Sequence, residues 1–222
     1  MTSDFPSLLA AADVVALHDR LLAHTGWPTQ APSTDGLGLW HWVQANHRHN
    51  SQLWAEEDLA RRTTVAAEAI AANKRAIDGF NQARNDATER VDEILLVALG
   101  LVDAASARTD APVSTVPAGA RLNSETAGSM IDRLSIMALK AHAMRQQTER
   151  IDVDETHRLA SHCKLERLQQ QRQDLAACLD ALLVDTQAGH AYFKVYRQFK
   201  MYNDPSLNPE LVKEGQGPAA RP

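Results

Sequence analysis

KRAIDGFNQARNDATERVD, residues 74–92, is the stretch that decides the fold. At about 100° per residue, Lys74, Asp78, Asn81, Asn85, Glu89 and Asp92 fall on one stripe of a helix, and Ala66, Ile70, Ile77, Phe80, Val91, Ile94 and Ala98 on an apolar stripe roughly 90° away. Glu68, Arg75, Gln82, Asp86, Arg90 and Glu93 take the far side, the natural solvent face. The first polar stripe is therefore not needed for solubility, and it sits where burial begins. Arg84 falls inside the apolar stripe itself. The pattern predicts an all-α fold, a single-domain bundle of about five or six helices with a polar interior seam.

The flanking sequence supports that reading. A first helix is expected from Pro6 and Ser7 to about His24, then a loop to Gly36, then a second helix from Leu37 to about Arg62. On the second helix Asn46, Asn50, Glu57 and Arg61 share a stripe with Leu39, Val43, Leu53 and Ala60, so polar and apolar residues mix on one face here too. Thr63 and Thr64 mark a break, and the long third helix is expected to run to about Ala107, with Gly100 as a bend. RTDAPVSTVPAGAR, residues 108–121, reads as a surface crossover within one domain.

Asn123 or Ser124 is the expected cap of a fourth helix, whose Met130, Ile131, Leu134, Ile136, Met137 and Leu139 leave almost no polar face and place it centrally. Glu125, Asp132, Arg133 and Lys140 nonetheless lie on it. Asp152 and Glu155 form a D-x-x-E capping box for a fifth helix with a seam of Leu165, Leu168, Leu175, Leu179 and Leu182. Its glutamine-rich flank suits solvent, a homodimer or a second subunit in a hetero-oligomer. Tyr192, Phe193, Tyr196, Phe199 and Tyr202 are expected to dock the last element on the bundle. The domain is assigned to residues 1–212 and a disordered tail to 213–222.

Composition narrows the class of function. The 222 residues carry a net charge of −5 with no basic arm, which argues against a nucleic-acid partner. The longest apolar run, Ile94 to Val102, is too short to cross a bilayer, and the N-terminus lacks the pattern of a secretory signal, so the expectation is a cytoplasmic protein with no membrane partner. Cys163 and Cys178 share a helix about 22 Å apart and cannot pair with each other. The His residues do not cluster with ligand spacing, and His47 and His49 are read as surface residues. No Glu-x-x-His pairs, phosphate loop, nucleophile elbow or Cys-x-x-Cys is present, so neither a metal nor a cofactor is assigned.

Charges on three buried faces need a reason, because an ion inside a protein costs several kcal/mol unless well paired. One reading is a structural network pairing Glu57, Asp78, Glu89, Glu125 and Asp132 with Arg61, Lys74, Arg84, Arg133 and Lys140. The other is a pocket for a small polar or anionic molecule. Amides at Asn46, Asn50, Asn81, Gln82 and Asn85 both donate and accept, which suits a ligand with hydroxyl or amine groups. In that reading a carboxylate among Glu57, Asp78 and Asp132 takes a proton, and the cations hold a phosphate, sulfate or carboxylate. A magnesium-dependent nucleotide pyrophosphohydrolase is a further alternative, resting on Glu56-Glu57 and Glu89-x-x-Asp92.

Three blocks, NSQLWAEEDLAR from Asn50 with its Trp54, KRAIDGFNQARND from Lys74 and NSETAGSMIDRLSIMALK from Asn123, together resemble a bacterial family of uncharacterised proteins, the domain of unknown function numbered 4254. QFKMYNDPSLNP from Gln198 is similar too, so the resemblance covers about Trp42 to Pro209. The family pattern places a proline in the fourth-helix motif where this chain has Ala127. The resemblance implies association with cell-envelope polysaccharide genes, where the chain would act as a non-catalytic accessory or binding protein. It also implies relatives in natural-product pathways that form strained nitrogen rings. On that second implication the chain is a small-molecule biosynthetic enzyme or enzyme subunit acting on a small amine, and the carboxylates, amides and cations of the seam suit substitution or elimination on an amine- or hydroxyl-bearing substrate.

Overall fold

A computed structural model describes residues 9–31, 33, 37–198 and 204–215. The elements in chain order are α1 (Ala11–Leu22), α2 (Leu39–Leu59), α3 (Ala67–Ala98), β1 (Arg121–Leu122), α4 (Ala127–Thr148), α5 (Glu155–Gln187), β2 (Ala191–Tyr192) and α6 (Pro209–Gly215). The fold is all-α, and the two short strands pair in parallel, Arg121 with Ala191 and Leu122 with Tyr192. That pairing ties the chain just before α4 to the chain just after α5.

Two long hairpins make the bundle: α2 lies along α3, and α4 along α5. α4 also touches α1, α2 and α3, as its nearly all-round apolar surface requires. Val14, Val43, Val91, Leu95, Leu96, Ile131, Leu134, Leu179 and Phe193 form the core between them. No helix among the described residues is long and apolar enough to cross a membrane.

Several helix ends differ from expectation, each for a local reason. α3 stops at Ala98 rather than near Ala107, because Gly100 adopts φ +70° and the amides of Leu101 and Val102 both turn back to the carbonyl of Leu96. The apolar run still goes inward: Leu101 and Val102 are buried as loop, and Val102 bridges to Ser114. Thr126, not Asn123 or Ser124, caps α4 by accepting from the amide of Ser129. Asn123 instead donates its backbone N–H to Tyr192 and its side chain to the carbonyl of Glu125. Asp154, not Asp152, caps α5, since Asp152 is engaged by Arg150. α1 begins at Ala11, with the expected start at Pro6 and Ser7 outside the described residues.

The C-terminal segment divides as well. Phe193 is buried and Tyr192 packs on the core, but Tyr196 is exposed, and Phe199 and Tyr202 lie outside the described residues. Of the expected tail, residues 213–215 lie in α6, and residues 216–222 are outside the described residues.

Candidate functional site

α3 and α4 share one seam, and its two ends differ. At one end a Cβ on Gly128 would lie 2.6 Å from the carbonyl oxygen of Thr88 and 2.9 Å from the Asp92 carboxylate, so only glycine permits this approach. Asp92 is buried there and accepts the Gly128 N–H at 2.7 Å. Burial pushes its carboxyl up to about 7, against hydrogen bonds from Thr126 and Gly128 that favour the ion.

Towards the other end the seam becomes polar and then opens. Asn46 on α2 donates to Thr88 Oγ1 at 3.0 Å and to Asp132 Oδ1 at 2.8 Å. Asn50, one turn later, donates to the same Asp132 oxygen at 2.8 Å, to Asn46 Oδ1 at 3.2 Å and to Ser135 Oγ at 3.0 Å. Thr88 passes its own proton to the carbonyl of Arg84, whose guanidinium donates to Asn85 Oδ1 at 2.9 Å. Arg84 Nε stands 3.9 Å from Asp132 Oδ1, within ion-pair range but beyond a hydrogen bond. Asp132 is thus held by α2 and α3 at once.

Beyond this cluster α2, α3 and α4 border a cleft of about 450 Å³. Leu53, Trp54, Ile77, Ile136 and Leu139 give it apolar walls; Asn50, Glu57, Asp58, Arg61, Asn81 and Arg84 supply its polar groups. Glu57 and Arg61 pair across one helical turn at 2.8 Å near the mouth. A cleft of this size, with apolar walls and a few convergent polar groups, has the build of a small-molecule site.

Of the residues singled out in the sequence, Asn50, Trp54, Glu57, Arg61, Asn81 and Arg84 border this cleft, and Asn46, Asn85 and Asp132 lie directly behind it. The others are elsewhere. Lys74 and Asp78 are exposed, so the stripe from residue 74 to 92 starts in solvent and turns inward only from Asn81. Glu89 binds Arg197 at 2.8 Å and the amide of Gln198, which fastens the C-terminal segment to α3. Glu125 pairs with Arg133 across the first turns of α4. Arg133 and Lys140 face a separate groove between α4 and α5.

Two assignments are corrected. Glu93, expected in solvent, is 4 % exposed and pairs with Arg197 and Arg90. His47, expected at the surface, is 0 % exposed; its ring stacks on that of the equally buried His18 with centroids 4.4 Å apart, and on Trp27 at 5.4 Å. Desolvation, with the Arg172 charge nearby, lowers His47 to about 3 and His18 well below its ordinary value, so both rings are neutral. His47 Nδ1 lies 2.8 Å from Ser135 Oγ, which joins it to Asn50. The signal was present in the spacing, because His47 follows the buried Val43 by one helical turn. Ser135 carried no such signal among the apolar residues of α4.

Among the described residues no three His, Cys, Asp or Glu side chains converge as a metal site would require. Glu56 accepts from Asn73, while Glu57, Glu89 and Asp92 belong to three separate sets of partners.

In comparisons with known proteins, a family model described as "Protein of unknown function (DUF4254)" matches residues 40–195. No curated protein and no solved structure matches.

Proposed function

Because the chain belongs to the DUF4254 family, whose description assigns no activity, we propose its function from the cleft: it binds a small molecule carrying an anionic group and an amine or hydroxyl, and acts on it without a cofactor. The single observation that supports this is the convergence of Arg61, Arg84, Asn50 and Asn81 on one cleft, with Asp132 anchored behind it by Asn46 and Asn50. Arg84 and Arg61 are the groups for a phosphate, sulfate or carboxylate, through charge-assisted bonds. The Asn50 carbonyl and the second oxygen of Asp132 have no protein donor among the described residues, and they are the acceptors for an ammonium or hydroxyl. Trp54, Leu53 and Leu139 take the apolar part of the molecule.

The chemistry that follows is proton transfer coupled to departure of an anion. Asp132, or Glu57 at the mouth, takes a proton from the bound ammonium or hydroxyl; the freed lone pair attacks a carbon of the same molecule. The C–O bond to a sulfate or phosphate breaks, and the leaving group departs with its electron pair towards the arginines. Ring closure within one molecule, as in forming a nitrogen heterocycle, depends mainly on orientation, which a cleft with apolar walls and convergent polar groups supplies. The exposed, unpaired Cys163 and Cys178 suit a reducing, cytoplasmic setting for such an enzyme.

A non-catalytic accessory protein of polysaccharide assembly would use the same arginines without the base. Native mass spectrometry and calorimetry with phosphorylated and sulfated amines, amino alcohols and sugars separate the two. An enzyme loses turnover in Asp132→Asn with affinity held within a few-fold, whereas Arg84→Gln weakens binding in either case. If no member of the panel binds, or if Arg84→Gln binds as the wild type does, the cleft is not this site.

A further inference from the structure

Ser135 has one hydroxyl hydrogen and two close partners, Asn50 and His47. It accepts from Asn50 Nδ2 at 3.0 Å and lies 2.8 Å from His47 Nδ1, the nitrogen to which its own proton can go. With Ser135 as that donor, His47 carries its proton on Nε2. A neutral ring leaves one nitrogen free to accept, as this arrangement needs. With Ser135 committed as an acceptor towards Asn50, the Asn50 NH₂ is turned inward to Ser135, Asp132 and Asn46. Its carbonyl is the end left to the cleft that Asn50 borders.

We infer that His47, which does not border the cleft, is a positioning residue that acts through Ser135 to keep the Asn50 carbonyl towards the ligand, so that the site selects groups that donate at this point over groups that accept. The inference rests on the reading of the cleft as a small-molecule site. It explains why a histidine is retained in an apolar layer against Trp27 and His18, where both His18 nitrogens find no partner among the described residues. Each such buried, unpaired group carries a desolvation cost that a leucine would not.

Two measurements test it, and they fail separately. In the ligand-free wild-type protein, long-range ¹H–¹⁵N NMR should show His47 with its proton on Nε2; a proton on Nδ1 overturns the inference whatever the cleft binds. With O-phosphoethanolamine and phosphoglycolate as probes, one offering an ammonium and the other a carboxylate at similar reach, the wild type should prefer the first. His47→Leu, which leaves the Ser135 hydroxyl free to turn, should shrink that preference by about tenfold, a hydrogen-bond-sized effect. His47→Asn, which restores an acceptor near the Nδ1 position, should recover most of it. An unchanged preference in a folded His47→Leu protein overturns the positioning role. Failure of both probes to bind the wild type counts against the function proposed for the cleft, and leaves the NMR result to decide the inference.

Discussion

Gly128 on α4 meets the carbonyl of Thr88 on α3 so closely that a β-carbon there would stand 2.6 Å from the oxygen. The obstacle is backbone, which cannot swing aside as a side chain does. This contact sets the spacing of the two helices at the closed end of the seam, and Arg84, Asn81 and Leu139, one to three turns along, border the cleft.

Gly128→Ala should therefore destabilise the protein by about 1–3 kcal/mol, as overpacking does, although alanine is the better helix former. Urea unfolding measures this. An unchanged or raised midpoint would show that α3 and α4 can move apart at no cost.

Stability should fall as the pH drops below 6.5. In the unfolded chain His18 and His47 titrate near their ordinary value, while in the folded protein both stay neutral, His47 down to about 3. Below pH 6.5 the unfolded state binds more protons at these two sites, which lowers stability by about 1.4 kcal/mol per pH unit at His47, with His18 acting in the same direction. Asp92 acts in the opposite sense. Its folded carboxyl stays protonated up to about 7 against 3.8 when unfolded, so between those values the folded state holds the extra proton and stability is lost as the pH rises. His18 and His47 together act against the single Asp92, which leaves a net acid loss below pH 6.5. Asp92→Asn should steepen it, as melting temperatures across that range would show; a profile that flattens in the variant would contradict this assignment.

Arg197 fastens the segment after β2 by pairing with Glu89 and Glu93 and by donating to the carbonyls of Ala107 and Thr109. Arg197→Gln leaves Glu93 buried with Arg90 as its remaining partner, and should cost about 3 kcal/mol. Ligand binding in the cleft should be unaffected, since Glu89 and Glu93 do not border it. A loss of binding at full stability would move Glu89 back into the site.

Lys74 and Asp78 are exposed and make no hydrogen bond or ion pair among the described residues. Lys74→Ala and Asp78→Asn should each change stability by less than about 0.5 kcal/mol and leave the cleft's affinity intact. Thermal melts and titration of the same probes check both; an effect as large as that of Arg84→Gln would show that the upstream end of the stripe reaches the ligand.

Sequence periodicity by itself determined that the chain is helical and that polar residues run into its interior, because the position of a side chain around a helix depends only on local repeat. Asn46, Asn50, Asn81, Arg84 and Asn85 are legible on that ground, and so is the central place of α4. Helix ends were less so: Asp154 caps α5 rather than Asp152 because two acceptors competed within one turn, and Arg150 took the first. What only the tertiary structure decided is how far along each stripe burial extends and which stripes meet. Glu93 is buried because Arg197, 104 residues away, arrives to pair with it, and His47 is buried because α1 lays His18 against it. Asp132 is held between helices because Gly128 lets α3 close on α4 at one end of the seam and leaves a cleft at the other. Such relations depend on contacts between residues far apart in the chain, and local repeat carries no record of them.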